Sequence, residues 1–147
     1  MAKLELIHVG ISVKDFDVTR KFYEKLGFKE SKEPFPTTWE GYWKEKNFFY
    51  NLPEGTNGRI FFMDSENGIK LEFFEYTTMQ DAGRAVWNNI GIHHIALKTD
   101  DIATVVENLK AEGIEFAIGP VNGTTQTFLF LRDPDGNLIE IGQPYEN

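Results

Sequence analysis

His8 and His94 stand 86 residues apart, and Glu72 and Glu140 stand 68 apart. Imidazoles and carboxylates are the side chains that hold divalent transition metals. Two of each suit such an ion, and in octahedral geometry they leave positions for water or substrate oxygens. A carboxylate can also take and return a proton, so Glu72 and Glu140 are candidates for catalysis as well as ligation. An acid embedded in "IKLEFFE" or "NLIEIG" is costly to bury unless it is paired or metal-bound. The alternative use of the four residues is a polar cleft, without metal, in a duplicated scaffold.

Both spacings come from internal repeats. "HVGISVKDFDVTRKFYEKLGF" (8–28) aligns with "HIALKTDDIATVVENLKAEGI" (94–114), and His8 meets His94. Each copy predicts a strand with period-two alternation, then an aspartate N-cap (Asp15, Asp101), a helix, and a glycine stop (Gly27, Gly113). "FFMDSENGIKLE" (61–72) aligns without a gap with "LFLRDPDGNLIE" (129–140), so Glu72 meets Glu140. Both stretches read as hairpins, with "ENG" and "PDGN" as turns. "DPDG" lacks the rest of a calcium-loop pattern and is expected to be a tight turn. The class is therefore α+β, in one domain of two βαβββ modules over 1–76 and 91–147. The connector 77–90 contains Trp87 and is expected to pack, as a short helix.

Strand alternation decides which of two adjacent histidines shares a face with the other candidates. Ile7, Val9, Ile11 and Val13 should face the helices, and His8, Gly10 and Ser12 should face away. In the second copy His94, Ala96 and Lys98 take the face away from the helices, and His93 is expected on the helix side. Leu71 and Phe73 project oppositely to Glu72, as Ile139 and Ile141 do to Glu140. Glu75 should face the other way from Glu72. One histidine and one glutamate per module would converge if the two sheets curl around a shared cleft.

Bulk properties narrow the partners. A net charge of −8 argues against nucleic acid or an anionic membrane. No apolar run is long enough to span a bilayer, and no signal-peptide pattern is present. The chain has no cysteine, which excludes disulfides, thiolate metal sites and a cysteine nucleophile. A small-molecule substrate and a cytoplasmic location are expected.

"HVGISVKDFDVTRKFYEKLGF" resembles the opening of the vicinal oxygen chelate superfamily, and "FLFLRDPDGNLIEIGQP" resembles its closing hairpin. That group includes glyoxalase I, methylmalonyl-CoA epimerase, extradiol dioxygenases and drug-binding resistance proteins. The resemblance implies paired βαβββ modules forming an open barrel-like cleft around one divalent metal (Ni, Co, Zn, Mn or Fe). It also implies His8, Glu72, His94 and Glu140 as ligands, and a homodimer. Bacterial glyoxalase I carries an arginine four residues after its first histidine, used toward glutathione. Ser12 stands there in this chain, and Lys98 stands at the repeat-related position.

Three chemistries are compatible with these residues. The first is a lyase or isomerase that removes a proton next to a carbonyl, with Glu72 or Glu140 as base and the metal as Lewis acid. Four protein ligands favour it. The second is an extradiol-type dioxygenase, for which two histidines and one carboxylate suffice and Glu72 is surplus. The third is a module that sequesters a drug or aromatic metabolite. Its support is "FPTTWEGYWKEKNFFY" (35–50), part of a span of 45 steps from Gly27 to Glu72 where the second module has 27. Ser12, Lys98, Trp39, Tyr42, Trp43 and Phe49 are the expected substrate-pocket residues. The aromatic run serves equally as a specificity wall, a packed hairpin or a dimer contact.

Overall fold

The computed structural model describes residues 4–31, 52–53, 55–81, 83, 86–88 and 90–146. The chain divides into two compact units, Met1–Asp81 and Ala82–Asn147, and the division falls within the connector. The first unit runs β1 (His8–Ser12), α1 (Phe16–Lys25), β2 (Lys29–Glu30), β3 (Gly58–Asp64) and β4 (Lys70–Tyr76). The second runs β5 (His94–Lys98), α2 (Ile102–Ala111), β6 (Phe116–Asn122), β7 (Gln126–Arg132) and β8 (Leu138–Pro144). Each is the expected βαβββ plan. Each forms a four-stranded mixed sheet, in order β1-β4-β3-β2 or β5-β8-β7-β6, so the first strand lies parallel to the last.

The repeat register survives in the strand pairing. Gly10 lies opposite Glu72, and Ala96 lies opposite Glu140. Across the hairpins Phe62 faces Glu72, and Phe130 faces Glu140. The turns are built as the sequence suggests. Gly68 and Gly136 take positive φ of 83° and 91°, a conformation that an L side chain would strain. Asp133 is buried and spends its carboxylate on the turn: Oδ1 accepts from the backbone N–H of Asp135 and Asn137, and Oδ2 from Asn137 Nδ2.

The helices start and stop by one device used twice. Asp15 accepts from the Val18 N–H and Asp101 from the Thr104 N–H, each at 3.0 Å. At the other end Gly27 and Phe28 donate to Glu24 and Tyr23, and Gly113 and Ile114 donate to Lys110 and Leu109. This is the paired-bond glycine stop of a Schellman motif. Glu75 does face away from Glu72. Its Oε2 accepts the Phe16 N–H at 2.6 Å and bonds Arg59, tying β4 to the first turn of α1. At the repeat-related position Gln143 Oε1 accepts the Ile102 N–H at 2.9 Å. The helix-facing side of the first sheet holds a core in which Tyr23 and Phe73 pack at 4.9 Å, both buried.

Three expectations are corrected. Ile7 precedes β1 and is exposed rather than packed on the helix side. The described residues of 77–90 form turns and irregular chain rather than a helix, although Trp87 does pack, half-exposed, on His93 and Phe130. His93 does not lie on the helix side. It precedes β5, where strand alternation does not yet apply, and its ring turns to His94. No helix among the described residues is long and apolar enough to cross a membrane.

Candidate metal centre

In the first unit, parallel pairing of β1 with β4 puts His8 and Glu72 on one face, two residues out of step. His8 Nε2 lies 3.0 Å from Glu72 Oε2. Phe62 sets its ring across the His8 imidazole at 5.9 Å, nearly edge-on. A Cβ at Gly10 would crowd the Phe74 ring at 3.3 Å and only touch Glu72 Oε2 at 3.9 Å, so glycine there leaves room for the Phe74 ring beside the carboxylate. Burial raises the Glu72 pKa above the usual carboxylate range, and the nearby His8 only partly opposes this. Tyr76, on the same face, is also raised, by its own burial and then by the Glu72 charge.

The second unit repeats the arrangement. His94 Nε2 lies 3.0 Å from Glu140 Oε2, and Phe130 stands edge-on to the His94 ring at 5.3 Å. Two further contacts surround this pair. Gln126 Nε2 donates to Glu140 Oε1 at 2.6 Å. A Cβ at Gly142 would meet Gln126 Oε1 at 2.5 Å, so the missing side chain at 142 lets Gln126 lie across the sheet toward Glu140. On the other side His93 Nδ1 and His94 Nδ1 share a hydrogen bond of 2.8 Å.

These donor sets fit a divalent ion. Nitrogen and oxygen ligands about 2.1 Å from one ion and at right angles lie about 3.0 Å apart, the separation found in both pairs. The same distance serves a hydrogen bond when the imidazole Nε2 carries a proton. Among the described residues no group of three or more His, Cys, Asp or Glu side chains is gathered closely enough to hold a metal ion; the structure brings the candidates together as two pairs.

Of the pocket residues expected from sequence, Ser12 and Lys98 are exposed on the strands that carry His8 and His94. Trp39, Tyr42, Trp43 and Phe49 lie outside the described residues. Phe62, Phe130, Gln126 and His93 were not singled out from sequence as site residues. The first three follow from the two hairpin turns: each fixes a register, and alternate residues of β3 and β7 then share the faces of Glu72 and Glu140.

The Glu72 environment has a measurable consequence for the metal-free protein. A carboxyl whose pKa is higher folded than unfolded contributes most favourably below its ordinary value of 4.5. That contribution is lost as pH rises through the raised value, because the folded state binds more protons in between. Glu72→Gln removes this dependence. In chelator, the variant is expected to melt higher than wild type at neutral pH, and the gap should close on acidification below about pH 4.5. Thermal melts across pH check this; a variant less stable at neutral pH refutes it.

The model of the Glyoxalase/Bleomycin resistance protein/Dioxygenase superfamily matches residues 5–141. A probable lactoylglutathione lyase of Vibrio parahaemolyticus serotype O3:K6 is 30% identical over 148 residues, covering 97% of this chain and 93% of that protein. A lactoylglutathione lyase of Arabidopsis thaliana is 29% identical over 93% of this chain, which spans only 43% of that longer protein. The crystal structure of a glyoxalase family protein from Bacillus cereus shares the fold, with a TM-score of 0.78 at 22% identity over 99% of each chain. The chain belongs to the glyoxalase/bleomycin resistance protein/dioxygenase superfamily.

Proposed function

We propose that this protein is a metal-dependent lyase or isomerase of the glyoxalase type, which removes and returns a proton at a carbon next to a carbonyl. The observation that carries the proposal is the twofold His–Glu pair, each at 3.0 Å and at repeat-related positions. The lactoylglutathione lyase names of the relatives support the same class. His8, Glu72, His94 and Glu140 would together hold the ion, which supplies Lewis acidity toward a substrate carbonyl. Either glutamate can take the proton and give it back. Phe62 and Phe130 set apolar rings edge-on to the two histidines. Gln126 orients Glu140.

The substrate is a small carbonyl compound. Ser12 provides no guanidinium to grip a glutathione carboxylate, so Lys98 and the aromatic segment 35–50 are assigned the task of distinguishing substrates. A homodimer acting in the cytosol completes the proposal.

Elemental analysis of purified protein should find about one divalent ion per His2Glu2 set. The metal-loaded protein, incubated in D2O with 2-oxo acids, hemithioacetals and acyl-CoA esters, should exchange the proton next to the carbonyl of one class, read by NMR. Metal-dependent oxygen uptake on catechols with no exchange would replace the proposal by a dioxygenase. Tight binding of an aromatic compound with neither activity would replace it by a sequestering module.

A further inference from the structure

The two half-sites differ at the residue that precedes each histidine. Ile7 precedes His8 and is exposed, whereas His93 precedes His94 and bonds it through Nδ1. The His93 ring also rests on Trp87, with centroids 4.3 Å apart. Its other nitrogen, Nε2, is buried without a hydrogen-bond partner. Such an atom costs stability, and an aliphatic side chain would fill the same space without that cost.

We infer that His93 is a positioning residue that sets the tautomer and ring orientation of His94 for metal binding, an inference that rests on the metal reading above. The hydrogen-bond bookkeeping is short. A shared Nδ1–Nδ1 bond needs one ring to donate and the other to accept. Without metal, His94 Nε2–H can donate to Glu140 Oε2, and its Nδ1 accepts from His93 Nδ1–H. A ligand Nε2 must present a lone pair instead. His94 then carries its proton on Nδ1 and donates it to His93 Nδ1, and the His93 proton resides on Nε2. Both rings stay neutral and no proton is gained or lost by the pair. The bond survives with its direction reversed, so the His94 ring is held in one orientation in both states. Ligand histidines are generally oriented by such a partner on the second nitrogen, and its removal weakens metal binding by roughly 10–100-fold. Here the partner is another imidazole, present in one half-site only.

Two variants separate this role from packing. His93→Phe keeps a ring against Trp87 but offers no acceptor. His93→Asn loses the ring but places an amide oxygen near the Nδ1 position. Zinc affinity by chelator competition should fall about 10–100-fold in His93→Phe and stay within a few-fold of wild type in His93→Asn. Long-range proton–nitrogen NMR of 15N-labelled protein should show His94 protonated on Nε2 without metal and on Nδ1 with zinc. Unchanged affinity in His93→Phe, equal losses in both variants, or Nε2-protonated His94 in the zinc form each overturns the inference while leaving the metal reading intact. A wild-type protein that takes up no zinc or cobalt overturns both.

Discussion

His94→Ala is expected to bind zinc or cobalt more than about 100-fold more weakly than wild type, because losses of this size already mark the upper range for residues that only support a ligand. His8→Ala should behave alike. Each imidazole faces its glutamate at 3.0 Å, so truncation removes a donor and leaves the facing carboxylate oxygen without its imidazole. Ser12→Ala is the control, since Ser12 is exposed and belongs to neither pair. Wild-type affinity should also weaken on acidification, because a ligand imidazole must be neutral. Isothermal titration or chelator competition measures the series. Wild-type affinity in His94→Ala, or a comparable loss in Ser12→Ala, would remove the pairs from the metal centre.

The four members of these pairs are legible in the sequence because two periodicities carry them. Strand alternation assigns a face, and the repeat assigns a partner position; each needs only local sequence. The helix ends were legible for the same reason, since Asp15, Asp101, Gly27 and Gly113 act through their own backbone neighbours. Alternation does not place His93, because the strand begins only at His94. Outside the ladder, no pleat dictates where a side chain points, and a neighbouring imidazole decided it. Gln143 shows a third case. Its bond to the Ile102 N–H parallels that of Glu75 to the Phe16 N–H, yet the residue types differ, so identity matching alone passes over it. Trp87 packs without a helix to present it; two aromatic contacts suffice, and helical propensity in a short connector has no bearing on them.

The largest effect is expected from removing the base. At least one of Glu72→Gln and Glu140→Gln should keep metal and lose proton exchange by roughly 10²–10⁴-fold. Glutamine retains an oxygen for a metal and nearly the same shape, but it cannot accept a proton near neutral pH. The two positions also differ in restraint. Glu140 is bonded by Gln126 on one oxygen and faces His94 with the other, whereas Glu72 Oε2 faces His8, whose ring meets Phe62 edge-on. Glutamine at 140 can still accept from Gln126 through its carbonyl, so that substitution leaves the local framework in place. Glutamine at 72 removes the charge that burial disfavours in the native carboxyl. Neither variant should therefore fail by unfolding, and a lost rate can be assigned to chemistry. Metal content and deuterium exchange are measured on the same samples. A variant that loses both identifies a ligand, and a variant that loses exchange alone identifies the base. If both variants retain metal and exchange at the wild-type rate, neither carboxylate moves the proton, and the proposed reaction class is wrong.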